Sequence, residues 1–298
     1  MREKTNHVRA QKTAEHWSEE PSWTRGLYWL ELPAVQRRLN QKVSGCPETD
    51  WVDHTLQIHL ADHLPLEACL SLGCGRGRLE RRLAAQGVFR ACDGVDIAGG
   101  AIAEARDQAQ QAGYNHISYI VEDANRIVLP PSHYDAVWSA GAVHHFERLE
   151  HVFQQVANCL KPEGTFILNE YIGPNRFQFS PRQREIIQIC LELLPDSHRR
   201  LATVSLSRKR SKKRDGQWWM RRALDKLQDG DFTSAVWRRL QRAIGEFSEA
   251  PSVKKAPNFP TDWFLQTTDP SEAVRLADIM PLLRRDFDIV EFKPMGGA

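Results

Sequence analysis

The sequence predicts an α/β fold: a doubly wound, mostly parallel sheet with an N-terminal helical cap and a helical, basic insertion after the fifth strand. Three observations predict it. Between residues 65 and 172 short apolar runs alternate with segments of helical periodicity, the pattern of parallel strands joined by helical crossovers. A glycine-rich turn, Gly73-Cys74-Gly75-Arg76-Gly77, follows the first apolar run. Acidic residues stand at the ends of the second and third runs.

Residues 1–64 read as an amphipathic helical cap with aromatics spread through it (Trp17, Trp23, Tyr28, Trp29, Trp51) and no β-rich run. Ala68–Leu72 is the first strand, and a helix follows the glycine turn with Leu79, Leu83 and Ala84 near one face. Ala91–Ile97 is the second strand, an Ala-rich helix covers about 100–112, and His116–Val121 and Tyr134–Ser139 are the third and fourth strands. Leu149, Val152, Phe153, Val156, Ala157 and Leu160 fit the i, i+3, i+4, i+7 template of a helix with one buried face. Thr165–Tyr171 is the fifth strand. Beyond Gly173-Pro174 the alternation stops. The spacing predicts a helix over 181–194, apolar on most faces and so buried or at an interface. A basic, Trp-containing stretch, a Pro-containing linker over 251–260, a helix over 272–285 and a strand Phe287–Phe292 follow. The expected organisation is a cap (1–64), a core (65–172), a mostly helical insertion (173–270) and a return to the core sheet (271–298).

Composition narrows the class. With 298 residues the chain is long enough for one large domain or a core with an insertion. No stretch approaches the roughly 20 apolar residues of a membrane span. The N-terminus, Met1-Arg2-Glu3-Lys4-Thr5-Asn6-His7, is polar and lacks the apolar centre of a secretory leader, so a cytoplasmic location is expected. The six cysteines form no C-x-x-C pair and no metal-ligand spacing, and Cys69 and Cys92 read as buried small hydrophobes.

The glycine turn carries the chemistry. In open α/β sheets ligands bind beyond the carboxyl ends of the strands, where the strand order switches. Glycine lets backbone approach a ligand that a Cβ would hold away. A dinucleotide fingerprint needs glycine at position 78, where Arg78 stands, which disfavours a dehydrogenase. Asp96, at the end of the second strand, can accept hydrogen bonds from ribose hydroxyls. Asp123, just past the third, can accept from an adenine amino group. A glycine loop, a ribose acid and an adenine acid at three successive strand ends describe an adenosine site.

The run Leu70-Ser71-Leu72-Gly73-Cys74-Gly75-Arg76-Gly77, with Asp96, Asp123, Tyr134-Asp135-Ala136-Val137 and Leu160-Lys161-Pro162-Glu163-Gly164, resembles the class I S-adenosylmethionine-dependent methyltransferases over about residues 65–172. The resemblance implies a Rossmann-like core with S-adenosylmethionine as cofactor. It implies that Gly73, Cys74, Gly75 and Gly77 face the donor and that Asp96 binds its ribose. It further implies that Ile97 lies against the adenine, that Asp123 and Ala124 meet the adenine amino edge, and that Ser139 lines the methionine end. The flanks Tyr28-Trp29-Leu30 and Ser271-Glu272-Ala273-Val274-Arg275 resemble methyltransferases of bacterial glycan and secondary-metabolite gene sets. The resemblance also implies a C-terminal β-hairpin, with Phe287–Phe292 as its first strand and Pro294-Met295-Gly296-Gly297 as its turn. Ala298 leaves nothing for the returning strand, so either a truncated chain or an incomplete, six-stranded sheet with an exposed edge is expected. The alternative is that Phe287–Phe292 is itself the final strand, with its partner in the stretch before 271.

Methyl transfer to a hydroxyl needs a group that takes the acceptor's proton. His144 and His145 follow the fourth strand, in the loop that by resemblance borders the methyl group, and imidazole titrates near neutrality. His145 is preferred, His144 stands beside it, and Glu170 at the end of the fifth strand also faces the acceptor side. The alternative is that these groups only pack and hydrogen-bond the loop. No metal site is expected, since neither histidine belongs to a ligand-spaced cluster. The segment from Trp17 to Trp29 suits a lid over the donor, or ordinary packing of the cap.

Between residues 199 and 242 fourteen Lys and Arg accompany four Asp, a net +10 against +2 for the whole chain. Trp218, Trp219 and Trp237 lie within it. One reading is an anionic partner held by charge and stacking; the other is a solvated loop around Arg208–Arg214. The expected function is transfer of a methyl group by in-line displacement to an oxygen of a small molecule or glycan. The alternatives are a nucleic-acid methyltransferase using the basic insertion, or a donor-binding protein without catalysis. Ser139-Ala140-Gly141-Ala142 stands where an amino-methylating Asn/Asp-Pro-Pro-Tyr motif would lie.

Overall fold

A computed structural model of the chain describes residues 2–19, 30, 32–199, 253–257 and 259–296. The chain divides into two compact units: residues 1–22, 28–186 and 258–298, and residues 23–27 and 187–257. In the first unit the cap comprises α1 (Arg2–Ser18), α2 (Pro33–Ser44) and α3 (Trp51–Ile58). The core follows as β1 (Leu66–Leu72), α4 (Arg78–Ala85), β2 (Phe89–Asp96), α5 (Gly99–Gln111), β3 (Ile117–Val121), β4 (Tyr134–Ala140), α6 (Leu149–Cys159) and β5 (Leu160–Asn169). Helix α7 (Pro181–Leu193) leads out of it. Helices α9 (Asp262–Thr268) and α10 (Leu276–Asp286) complete this unit.

The five strands lie in the order β3-β2-β1-β4-β5, all parallel. The chain builds outward from β1 to β3, then returns to the other side of β1 with β4. The strand order therefore switches at the β1/β4 junction, where the glycine turn leaves β1. This is the expected doubly wound sheet. Its central strand is buried over Cys69–Leu72, because helices cover both faces. Successive residues serve opposite faces: Val137 of β4 joins the cluster with α6 and α10, and Trp138 joins that with α3, α4 and α5. Cys69 and Cys92 are buried, as expected. Helix α3 starts at Asp50, whose carboxylate accepts from the backbone N–H of Val52 and of Asp53, both at 3.0 Å. Such a cap satisfies donors that the first turn leaves open.

Two expectations are corrected. Phe287–Phe292 is not a strand, and the described sheet ends at β5 with five strands rather than six. The alternation of apolar residues there matches a strand, but Phe287 instead turns its ring onto Phe153 and Phe166, at 6.1 and 5.3 Å between centroids. The segment then runs past the cap. Glu291 bonds to His54 and His59, and the Met295 carbonyl accepts from Lys42 Nζ. Val290 and Phe292 stay exposed. Helix α7 forms where expected, but none of its residues is buried. Charged and amide side chains at 182–185, 188 and 192 interrupt its apolar surface.

In the second unit the described residues are the end of α7, α8 (Asp196–Arg199) and residues 253–257, joined by a bond from the Lys254 N–H to the Arg199 carbonyl at 2.7 Å. Residues 200–252 lie outside the described residues, and with them nearly all of the basic stretch and Trp218, Trp219 and Trp237.

Glu80, on α4 beneath the glycine turn, is fully buried. Neither carboxyl oxygen has a well-formed hydrogen bond, and the nearby Ser71 hydroxyl offsets the burial only in part. Burial therefore pushes this carboxyl up to about 7, from an ordinary 4.5. A raised acid costs nothing where the folded and unfolded states are both protonated. The cost grows as pH rises from the unfolded to the folded value and is complete above it. Relative to Glu80→Gln, the protein is thus expected to lose about 3 kcal/mol of stability between roughly pH 4 and pH 8. Denaturant melts of both proteins across that range measure it; a constant difference between them would refute a titrating Glu80.

Candidate functional site

A cavity of about 640 Å³ opens beyond the carboxyl ends of β1, β2, β3 and β4. The glycine turn forms one wall. Gly73, Gly75 and Gly77 take φ values of +69°, +53° and +71°, the left-handed region. They do different work. A Cβ on Gly73 would lie 2.2 Å from the Ala142 Cβ, and one on Gly77 would lie 2.3 Å from the Tyr119 hydroxyl oxygen. These two glycines let the turn pack onto its neighbours. A Cβ on Gly75 would meet nothing within 4 Å, and Gly75 lines the cavity. Gly75 is therefore the glycine that keeps space open for a ligand.

Asp96 ends β2 on the cavity wall. Its Oδ2 accepts from the Gly75 N–H at 2.8 Å, and its Oδ1 accepts from the Ala98 N–H at 2.8 Å. The carboxylate thus ties the glycine turn to the start of α5. Burial raises its pKa, and the backbone donors of Ala98 and Gly75 oppose that rise. Asp123 lies past β3 and accepts from the N–H and the side-chain amide of Asn125, both at 2.9 Å. Asn125 Oδ1 in turn accepts from the N–H groups of Glu147 and Arg148. That amide joins two loops of the wall, and sequence reasoning missed it.

Of the residues expected to meet the donor, Gly73, Cys74, Gly75, Asp96, Ile97, Asp123 and Ala124 line the cavity. Gly77 and Ser139 do not. Gly77 is packed under Tyr119, and Ser139 is fully buried with its hydroxyl donating to the Leu72 carbonyl at 2.9 Å. Ala140 and Gly141 take the place on the wall. Helix α1 contributes Arg9, Thr13 and Trp17. Trp17 was legible as an aromatic of the cap, whereas Arg9 and Thr13 carry no sequence signal. Trp23, Tyr28 and Trp29 lie outside the described residues.

The two histidines are held in opposite ways. His145 lines the cavity, and its ring meets that of Trp17 edge-on at 5.0 Å. Its Nδ1 lies 3.1 Å from the Ser271 hydroxyl, which lies 2.6 Å from Asp269 Oδ1. A carboxylate only accepts, so Ser271 donates to Asp269 and accepts from His145 Nδ1–H. That chain fixes the tautomer and leaves Nε2 as the ring's basic nitrogen. Trp17 Nε1–H donates to the other oxygen of Asp269 at 3.0 Å. Burial, followed by the neighbouring charges of His144 and His16, drives the His145 pKa well below its ordinary value.

His144 does not line the cavity. Its Nδ1 lies 2.6 Å from Glu170 Oε1, and its Nε2 lies 3.4 Å from Glu272 Oε1. Burial opposes its charge, but the Glu170 hydrogen bond and the two carboxylates outweigh burial and raise its pKa. Burial likewise pushes the Glu272 carboxyl up to about 7, against the pull of His144. Glu170 is thus a partner of His144, and it too lies off the cavity wall.

Asp269, Ser271 and Glu272 come from one loop, between α9 and α10, that sequence reasoning did not connect with the site. Arg176 clasps it: the guanidinium donates to the carbonyls of Glu272 and Pro270 at 2.8 and 3.0 Å. The backbone N–H of Arg176 donates to the Ala273 carbonyl at 2.7 Å. Ala273 itself sits at φ +54°, a conformation that costs an L-residue energy and persists where its surroundings enforce it.

The family model described as "Methyltransferase domain" matches residues 70–168. Among curated proteins, the chain is 26% identical over 153 residues to the uncharacterized methyltransferase YcgJ of Bacillus subtilis, covering 51% of this chain and 58% of that protein. It is 29% identical over 161 residues to a malonyl-[acyl-carrier protein] O-methyltransferase of Methylovorus, covering 51% and 54%. It is 29% identical over 154 residues to the aklanonic acid methyltransferase DauC of a Streptomyces species, covering 49% and 69%. The chain thus spans between about half and two thirds of the length of these relatives.

The matched span coincides with the strands that wall the cavity. Its acids stand at successive strand ends, and a glycine there keeps room for a ligand, which fits an adenosine-bearing donor. Residues 70–168 thus form a class I S-adenosylmethionine-dependent methyltransferase domain, with S-adenosylmethionine as its cofactor.

Proposed function

We propose that the chain methylates an oxygen of a small molecule, with His145 taking the acceptor's proton. The observation that carries this reading is the Asp269–Ser271–His145 chain, which presents a neutral imidazole on the wall of the donor cavity. Asp96 and Asp123 would hold the ribose and adenine ends of the donor, and Gly75 would lie against it. When bound, S-adenosylmethionine supplies an activated methyl group and gives up its positive charge as that group leaves. A proton accepted by His145 at that moment keeps the charge of the cavity constant, and Asp269 behind Ser271 steadies the imidazolium. His144, with both ring nitrogens engaged by carboxylates, holds the loop in place. Trp17 covers the same wall and excludes water. A general base of this kind contributes about 10²–10⁴-fold to a rate, and alignment of the reacting atoms contributes more.

Two of the relatives are named for O-methylation of a carrier-bound malonyl group and for methylation of aklanonic acid. These names favour a small-molecule acceptor. A donor-dependent screen across carboxylic acids, acyl thioesters, phenols and sugars, read by mass for one added methylene, tests the reading. A product methylated at nitrogen or carbon would refute oxygen transfer. Asp96→Ala is expected to weaken S-adenosylmethionine binding by roughly 1.5–3 kcal/mol, the value of a hydrogen bond to a charged group. Titration calorimetry measures this, and unchanged affinity would remove Asp96 from the donor site.

A further inference from the structure

Away from the donor cavity, α3 and the C-terminal segment bring together two imidazoles and a carboxylate. His54 lies on α3 and is buried, and His59 caps the C-terminus of the same helix. Glu291 arrives from the far end of the sequence. His54 Nε2 and His59 Nε2 lie 3.0 and 3.1 Å from the same oxygen, Glu291 Oε2. The three atoms lie within 4.8 Å of one another. The other carboxylate oxygen, Oε1, faces Lys293 Nζ at 3.3 Å, which leaves Oε2 to the histidines.

We propose that His54, His59 and Glu291 form a zinc-class divalent-metal site that clamps the C-terminal segment onto α3. Two imidazole nitrogens and one carboxylate oxygen are a donor set that zinc accepts, with a water in the fourth position. A tetrahedral ion with bonds of about 2.1 Å holds its ligand atoms roughly 3.4 Å apart. The two nitrogen-to-oxygen spacings of 3.0 and 3.1 Å need to open by only a few tenths of an ångström, and the two nitrogens lie within 4.8 Å of each other, so small side-chain shifts admit an ion. The clamp has mechanical sense. Beyond Phe287 the segment pairs with no strand among the described residues, and Ile289, Val290 and Phe292 are 42%, 77% and 55% exposed. Apolar burial therefore gives this segment little hold, and an ion bridging it to α3 would supply the missing anchor. The side chains of His59 and Glu291 are partly exposed, so an ion can enter without opening the core.

The test uses the full chain, stripped with a chelator, then titrated with zinc by calorimetry and with cobalt(II) by visible absorption. The expected result is one equivalent of zinc and cobalt bands of a four- or five-coordinate ion. Both are expected to weaken by at least about 100-fold in Glu291→Gln and in His59→Ala, since even residues behind a ligand cost 10–100-fold in affinity. His144, His145 and Glu272 also lie close enough together to hold an ion, so His144→Ala is titrated in parallel and is expected to keep the equivalent. Hydrogen exchange of residues 287–296 in the unaltered protein is expected to slow when zinc is added. Absence of stoichiometric binding, binding that survives both Glu291→Gln and His59→Ala, binding lost only in His144→Ala, or exchange indifferent to zinc would each overturn the proposal.

Discussion

His145→Ala is expected to lower turnover by about 10²–10⁴-fold while donor affinity stays close to that of the unaltered protein. The expectation follows from three features of one side chain. It lines the cavity at the strand ends, the proposed donor site. Its Nδ1 is committed to Ser271, so Nε2 carries the lone pair. Its pKa lies well below the ordinary value because of burial and then of His144, so the ring stays neutral across the neutral range. Protonation of His145 should consequently not depress the rate as pH falls from about 8 to 6.5. Ser271→Ala removes the partner of Nδ1–H but leaves the imidazole, and a smaller loss is expected. His144→Ala leaves Glu170 and Glu272 without the cation between them, so its main effect should be on stability, on the order of 3–5 kcal/mol for a broken buried pair. Single-turnover rates with donor calorimetry separate these cases. A loss under about tenfold for His145→Ala at the optimum pH would reduce that histidine to a packing role.

Gly75→Val is expected to abolish donor binding, by more than about 100-fold, while the chain still folds. The turn leaves room at Gly75, where an added Cβ meets no atom within 4 Å, so the fold itself raises no steric objection. That room is part of the cavity, and a branched side chain would fill it. The backbone at φ +53° disfavours any residue with a Cβ, which adds a penalty of roughly 1–2 kcal/mol. The same change at Gly73 or Gly77 should behave differently. There the Cβ would press into Ala142 or Tyr119, and the loss should appear first as unfolding. Thermal melts beside donor calorimetry distinguish the two outcomes. Full donor affinity in a folded Gly75→Val protein would place the donor elsewhere.

The core was legible for a physical reason. A parallel strand covered on both faces must be apolar almost throughout, and a helix buried on one side must repeat its apolar residues at helical spacing. Those constraints are local, and they placed β1 to β4, α6, the glycine turn, Asp96 and Asp123. Ambiguity began where local pattern and tertiary packing parted. Phe287–Phe292 alternates as a strand does, yet the ring of Phe287 is held by Phe153 and Phe166, and Glu291 is drawn to His54 and His59. Ser139 sits on the expected strand, but pairing its hydroxyl with the Leu72 carbonyl turns it away from the cavity.

By itself the sequence determined the five strands, their order along the chain and the glycine turn with its neighbouring acids, because glycine and carboxylate positions at strand ends follow from backbone geometry and hydrogen-bonding capacity. Only the tertiary structure shows how differently His144 and His145 are surrounded: His145 lines the cavity and His144 does not. They are adjacent in sequence, and what separates them is a loop more than 120 residues away together with Glu170 at the end of β5. That loop brings Ser271 and Asp269 to one ring, while Glu272 with Glu170 flanks the other. Basicity is set by the charges and donors that surround a group in space, and no local pattern in the chain encodes them.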